Sequence, residues 1–147
     1  MNKVEKTVLV MHSAEKMFGL VDAVEDYPKF LPWCGGTALL ARDANSTKAT
    51  IHINYHGIKQ SFTTLNTKQT PKSMLISLVD GPFKQLNGEW QFVPLQANAC
   101  KIVFKLNYEF ANSMLEKIIA PVFSHIANTF VDSFVKRADS IQKDKNA

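Results

Sequence analysis

The chain has 147 residues, 46% hydrophobic and 20% charged, the balance of a single soluble globular domain able to bury its own core. That composition excludes disorder, collagen, coiled coil and a disulfide-stapled scaffold. No run of about 18 uninterrupted apolar residues occurs, so the sequence predicts no membrane span.

The net charge of +4 is unevenly spread. Residues 44–105 carry seven lysines against Asp80 and Glu89, while the flanking segments are close to neutral. Arg42 and Arg137 are the only arginines. Arginine is the preferred reader of base edges and bidentate phosphates, so a sequence-specific nucleic-acid reader is disfavoured. Lys48, Lys59, Lys68, Lys84, Lys101 and Lys105 are expected on an outer sheet face, where they suit RNA phosphate or the anionic lipid of an inner-membrane surface. The plainer explanation is a solvated face. The N-terminal MNKVEKTVLVMHSAEK lacks the apolar run and cleavage site of a secretory signal, which points to the cytoplasm. Cys34 and Cys100 match no zinc or redox spacing and read as buried, reduced thiols.

Val4 to Met11 is rich in β-branched residues and predicts a strand. Ser13 is placed to cap a helix, with Glu15 near its positive end and Met17, Phe18, Val21 and Val24 at helical spacing. Tyr27-Pro28 opens a second short helix, Pro32 ends it, and Gly35-Gly36 predicts a turn. Alternation then marks strands: Ala49 to Tyr55, Ile58 to Leu65, Ser73 to Val79, a stretch around Trp90 and Phe92, and Ile102 to Phe110. Gly57, Thr70-Pro71 and Asp80-Gly81-Pro82 are the breaks. Ser113 and Glu116 have the spacing of a capping box, opening a final helix. Its apolar stripe runs through Met114, Ile118, Val122, Ile126, Phe130 and Phe134, with Leu115, Ile119 and Phe123 beside them. Pro121 predicts a kink or restart, and Lys143 to Ala147 a frayed tail. The order is one strand, two short helices, about six strands and one long helix. It defines an α+β domain over 1–147, ordered over about 3–142, with a curved antiparallel sheet wrapped around its last helix.

Catalytic signatures are weak. His52 and His56 share an outer strand face without a completing Cys, Asp or Glu, so no metal site is expected. His12 sits at a strand end, and His125 on the margin of the helix stripe as a packing residue. No nucleophile elbow, phosphate loop or dinucleotide fingerprint occurs. An apolar cavity is better supported. Ten Phe, two Trp and three Tyr are present, and one helix leaves room within a deeply curved sheet. The residues expected to line that room are Trp33, Phe62, Phe83, Trp90, Phe92, Phe104, Tyr108, Val122, Phe123, Ile126 and Phe130. Tyr108, Thr129 and Ser133 are candidate hydrogen-bond partners for a ligand oxygen. For the two helix hydroxyls the alternative is a bond back to the carbonyl four residues earlier. The stretch from Tyr27 to Gly36 is expected to form a mouth or lid.

The segments SAEKMFGLVDAVEDYPKFLPWC and LVDGPFKQLNGEWQFVPLQANACKIVFKLNYEFAN resemble the START-like coenzyme Q-binding proteins of the polyketide-cyclase superfamily. They are most similar to its bacterial ribosome-association toxin branch. The blocks Tyr27-Pro28…Phe30-Leu31-Pro32 and Asp80-Gly81-Pro82-Phe83…Leu86…Gly88…Trp90…Phe92 carry the resemblance. It implies a helix-grip fold and a tunnel for a hydrophobic ligand, ubiquinone or another polyprenyl lipid, in support of respiration. It also implies binding to the large ribosomal subunit that blocks subunit joining. A cyclase is the third and least supported reading, because no acid/base pair stands out. No cofactor is expected beyond the lipid, and the chain is expected to act as a monomer.

Overall fold

Seven antiparallel strands form one curved sheet in the computed structural model, which describes residues 1–145. In chain order the elements are β1 (Asn2–Val10), α1 (Ala14–Asp22), a 3₁₀ turn (Val24–Lys29), β2 (Cys34–Arg42), β3 (Ser46–Tyr55), β4 (Ile58–Gln69), β5 (Ser73–Asp80), β6 (Phe83–Gln96), β7 (Ala99–Phe110) and α2 (Ser113–Lys145). Strands β2 to β7 run as a meander, and β1 returns to the far edge beside β7, giving the order β1-β7-β6-β5-β4-β3-β2. Register irregularities interrupt β2, β6 and the β4–β5 pairing. Extra residues of this kind bend a strand and increase its twist, so the sheet curls into a trough. Helix α2 lies in it, burying Ile119, Val122, Phe123, Ile126, Ala127, Val131, Phe134 and Ala138.

Local chemistry sets the element ends. Ser13 caps α1 by accepting a bond from the Lys16 amide at 3.1 Å, as its sequence position predicts. The cap of α2 is Asn112, whose side-chain oxygen accepts from the Leu115 amide at 2.9 Å, one residue before the expected Ser113. Helix α2 is continuous through Pro121, so the predicted restart does not occur. Residues 143–145 are helical, and the rest of the expected frayed tail, Asn146 and Ala147, lies outside the described residues. Gly35-Gly36 is not a turn but the start of β2, at a register shift between Cys34 and Gly36. The second short helix begins at Val24, and Pro28 falls near its end. The expected stripe of α2 also starts late: Met114 and Ile118 are 72% and 49% exposed, because the first turns of the helix overhang the trough.

Helix α2 contains a window of mean hydropathy 1.3, long and apolar enough for a membrane span by length and composition. Here those apolar residues face the sheet. The C-terminal half of α2 is also tied by polar contacts: buried His12 meets Asp139 at 2.6 Å, and Lys16 donates to Gln142 at 3.1 Å. Arg137 lies 5.4 Å above the Phe30 ring, a cation–π contact.

The β5–β6 turn depends on one glycine. Gly81 has φ 151°, and a Cβ there would stand 2.7 Å from the Phe62 Cβ. Gly81→Ala is expected to destabilise the fold by about 1–3 kcal/mol, read as a lower urea midpoint with an unchanged m-value.

Candidate functional site

Between α2 and the trough lies a cavity of about 60 Å³. Its walls come from nearly every element. Val21 of α1, Val24 and Tyr27 of the 3₁₀ turn, and Trp33 close one side. Ile51, Phe62, Ile76, Leu86, Trp90, Phe104 and Leu106 form the sheet wall, and Phe123, Ile126, Ala127 and Phe130 the helix wall. The inward face of β4 adds Thr64 and Asn66, so the lining is apolar except for a narrow polar strip. A water needs roughly 10–15 Å³ of such space. The cavity is therefore a closed nook and not the open tunnel expected from the sequence.

Aromatic packing explains its position. Phe123 meets Tyr108 at 4.7 Å, Phe83 at 4.9 Å, and Phe62 and Phe110 each at 6.1 Å, a plug that fills one end of the trough. Phe92 stacks on Trp90 at 5.7 Å and packs edge-on against Phe18 at 5.6 Å, filling the region behind the far wall. Phe130 sits between these masses, half-buried, within 6.2 Å of Tyr27, Trp33, Trp90, Phe104 and Phe134.

Of the side chains picked from the sequence, Trp33, Phe62, Trp90, Phe104, Phe123, Ile126 and Phe130 line the cavity. Phe83, Phe92, Tyr108 and Val122 are buried but do not; the aromatics among them fill the core on either side. Thr129 and Ser133 also lie off it. Their hydroxyls donate to the carbonyls of His125 at 2.8 Å and Thr129 at 3.0 Å, the back-bonded alternative. Burial pushes the Tyr108 phenol up, so it stays protonated inside the plug. His125 is not a packing residue of the stripe: it is exposed and stacks on Tyr55 at 5.8 Å.

Sequence reasoning missed the polar lining. Thr64 donates to Asn66 Oδ1 at 3.1 Å. Next along the same face, Lys68 is only 8% exposed and bonds Asp22 Oδ2 at 3.1 Å, while Thr47 donates to Asp22 Oδ1 at 2.8 Å. Lys68 is thus an internal tie between α1 and β4, not the outer-face cation expected. Arg42 reinforces the same corner, gripping Glu25 with both guanidinium nitrogens at 2.7 and 3.0 Å and holding the Glu25 carboxyl below its usual range. Tyr27 donates its hydroxyl to the Val21 carbonyl, and burial pushes its phenol far up. The segment expected to be a lid is accordingly well anchored, with Tyr27, Leu31 and Trp33 all buried.

One lining group lacks a partner. The Trp33 residue is 2% exposed, and its indole Nε1 is the sole sealed side-chain nitrogen or oxygen left unbonded among the described residues. Leaving such a donor unpaired costs about 1–3 kcal/mol.

A curved antiparallel sheet gripping a long C-terminal helix over an apolar hollow defines the helix-grip class. Residues 10–135 match the family described as polyketide cyclase / dehydrase and lipid transport, and the chain belongs to that family. It is 41% identical over 141 residues to the persistence and stress-resistance toxin PasT of Escherichia coli, and 40% identical over 141 residues to the ribosome association toxin RatA of the same species. Each alignment covers 96% of this chain and 89% of the relative. It is 26% identical to the mitochondrial coenzyme Q-binding protein COQ10 of Dictyostelium discoideum, over 97% of this chain and 72% of that one. Among solved structures, the ZhuI aromatase/cyclase of a Streptomyces species superposes with a TM-score of 0.77 at 16% identity, covering 94% of this chain and 93% of the other. An 18 kDa protein of Caulobacter crescentus superposes with a TM-score of 0.73 at 26% identity, covering 97% and 99%.

The two kinds of lysine are separable by stability. Lys68→Met is expected to cost roughly 2–4 kcal/mol by stranding Asp22, with much of the loss recovered in the double variant that also carries Asp22→Asn. Lys59→Met, on the exposed face, is expected to stay within about 0.5 kcal/mol. Urea denaturation of the set checks both.

Proposed function

We propose that this chain is a non-enzymatic binder of a neutral hydrophobic molecule, ubiquinone or another polyprenyl lipid, held between the sheet and α2 in support of respiration. The observation that carries the reading is the apolar cavity itself, enclosed by seven aromatic and eight aliphatic side chains with Thr64 and Asn66 as the remaining lining residues. No lining residue is a His, Cys, Asp, Glu, Lys or Arg, and the Tyr27 hydroxyl keeps its proton. The hollow therefore offers burial and hydrogen bonding, and no group poised to exchange protons near neutrality. This supports binding over turnover.

The ligand needs more room than 60 Å³, so binding requires the helix wall and the Tyr27–Trp33 segment to part at Phe130. Each aromatic contact broken costs about 0.5–1.5 kcal/mol. Each CH₂ buried gains roughly 0.8 kcal/mol, so a short isoprenoid offsets several such contacts. Native mass spectrometry and solvent extraction of freshly purified protein are expected to recover a quinone or related lipid. Repeated isolation of empty protein, together with no binding when a short-chain ubiquinone is titrated in, would overturn the proposal.

A second reading, ribosome association that blocks subunit joining, is favoured by the relatives at 40–41% identity, whose names include a ribosome association toxin. The outer lysines give it limited physical support. Lys105 faces Glu5 and Glu89 across the register, which offsets its charge, and Lys68 is internal. Lys59 and Lys84 are exposed, and Lys48 and Lys101 partly so. Phosphate contact through these four would weaken steeply with salt. Overexpression is expected to raise free subunits relative to joined ribosomes in sucrose gradients, and an unchanged ratio would remove this reading. The two activities are compatible, since one uses the interior and the other the surface.

A further inference from the structure

Resting on the lipid-binding reading, we infer that Trp33 is the recognition residue for the ligand's head group, and that its indole N–H selects a molecule carrying a carbonyl oxygen. The indole is held from both sides of the chain. The Trp33 carbonyl accepts from the Asn54 amide at 2.9 Å, and the next residue, Cys34, donates its amide to the Leu31 carbonyl at 3.0 Å. The ring packs against Phe130 with centroids 6.1 Å apart. A donor fixed in this way cannot swing out to water, and it lines an apolar space with no acceptor in reach. Such a group is satisfied only by something that arrives in the cavity.

The rest of the polar lining narrows what that is. Asn66 Oδ1 already accepts from Thr64, and the Tyr27 hydroxyl is committed to Val21. The unmet capacity of the lining that is sealed from water is therefore a donor. Lys68, the nearest cation along β4, is paired with Asp22, so nothing charged is free to hold a carboxylate. A neutral oxygen that accepts without having to donate meets these conditions, as the carbonyl of a quinone or ketone does. An alcohol or fatty acid brings a donor or a charge that the cavity leaves unmatched.

The test compares decylubiquinone with decylbenzene, which share the decyl tail on a six-membered ring but differ in the carbonyl oxygens. Both are titrated into the wild-type protein and into Trp33→Phe. The inference expects Trp33→Phe to bind the quinone about tenfold more weakly while its affinity for decylbenzene changes less than twofold. Equal losses on both probes, or no loss on either, would show Trp33 to be only a wall of the cavity and would overturn the inference while leaving the lipid-binding reading intact. If the wild type binds neither probe, the lipid-binding reading itself fails and takes this inference with it. The wild-type protein supplies a readout that does not depend on the variant folding. The Trp33 indole proton, followed by ¹H–¹⁵N correlation and assigned through its contacts to Phe130, is expected to move downfield with decylubiquinone and not with decylbenzene. Identical behaviour with both overturns the inference.

Discussion

A single helix cannot fill the concavity of a seven-stranded sheet, and the rest of the molecule follows from how the remaining space is closed. Helix α2 covers the trough, but its round cross-section leaves a gap against the curved wall. Aromatic side chains close that gap at one end, where Phe62, Phe83, Tyr108 and Phe110 gather around Phe123. Helix α1 and the 3₁₀ turn close it on the side, held down by Asp22 and Glu25. The cavity is what remains after these fillers are in place. It is small because the aromatics are large, and apolar because nearly everything pointing inward is.

The interior and the exterior therefore answer to different chemistry. Inside, hydrogen-bonding capacity is scarce and nearly all spoken for, which suits a neutral guest. Outside, charge is plentiful but interleaved, as with Lys105 between Glu5 and Glu89. Membership of a family whose description joins cyclases with lipid transport fits a scaffold in which the hollow persists and the side chains lining it decide between chemistry and simple holding.

The architecture was legible in the sequence because its strongest signals are periodic. The alternation of Ile102 to Phe110 and the stripe through Ile119, Phe123, Ile126 and Phe134 place β7 and α2 where they stand. Strand β2 was not legible: Cys34-Gly35-Gly36 carries turn residues, and its ladder with β3 starts at a bulge, the one setting where glycine is at home in a strand. Half of the cavity wall was readable from aromatic and branched residues. The other half was not, because Val21, Val24 and Tyr27 belong to a short helix whose partner face only tertiary packing decides. Thr129 and Ser133 failed for the opposite reason. Their helical positions were read correctly, but a hydroxyl beside a free i−4 carbonyl bonds locally before it reaches for anything else.

The inward face of β4 has one more consequence. Its buried side chains are Phe62, Thr64, Asn66 and Lys68, while Leu65 points to water. Greasiness alone would welcome a slip of this strand by one position, which would carry Leu65 into the core and return three polar neighbours to solvent. What forbids the slip is that Asp22 has two oxygens and both are occupied, one by Thr47 of β3 and one by Lys68 of β4. The alignment of the sheet's middle is thus decided by a carboxylate at the tip of a neighbouring helix, a lock that names its key by chemistry and not by oiliness.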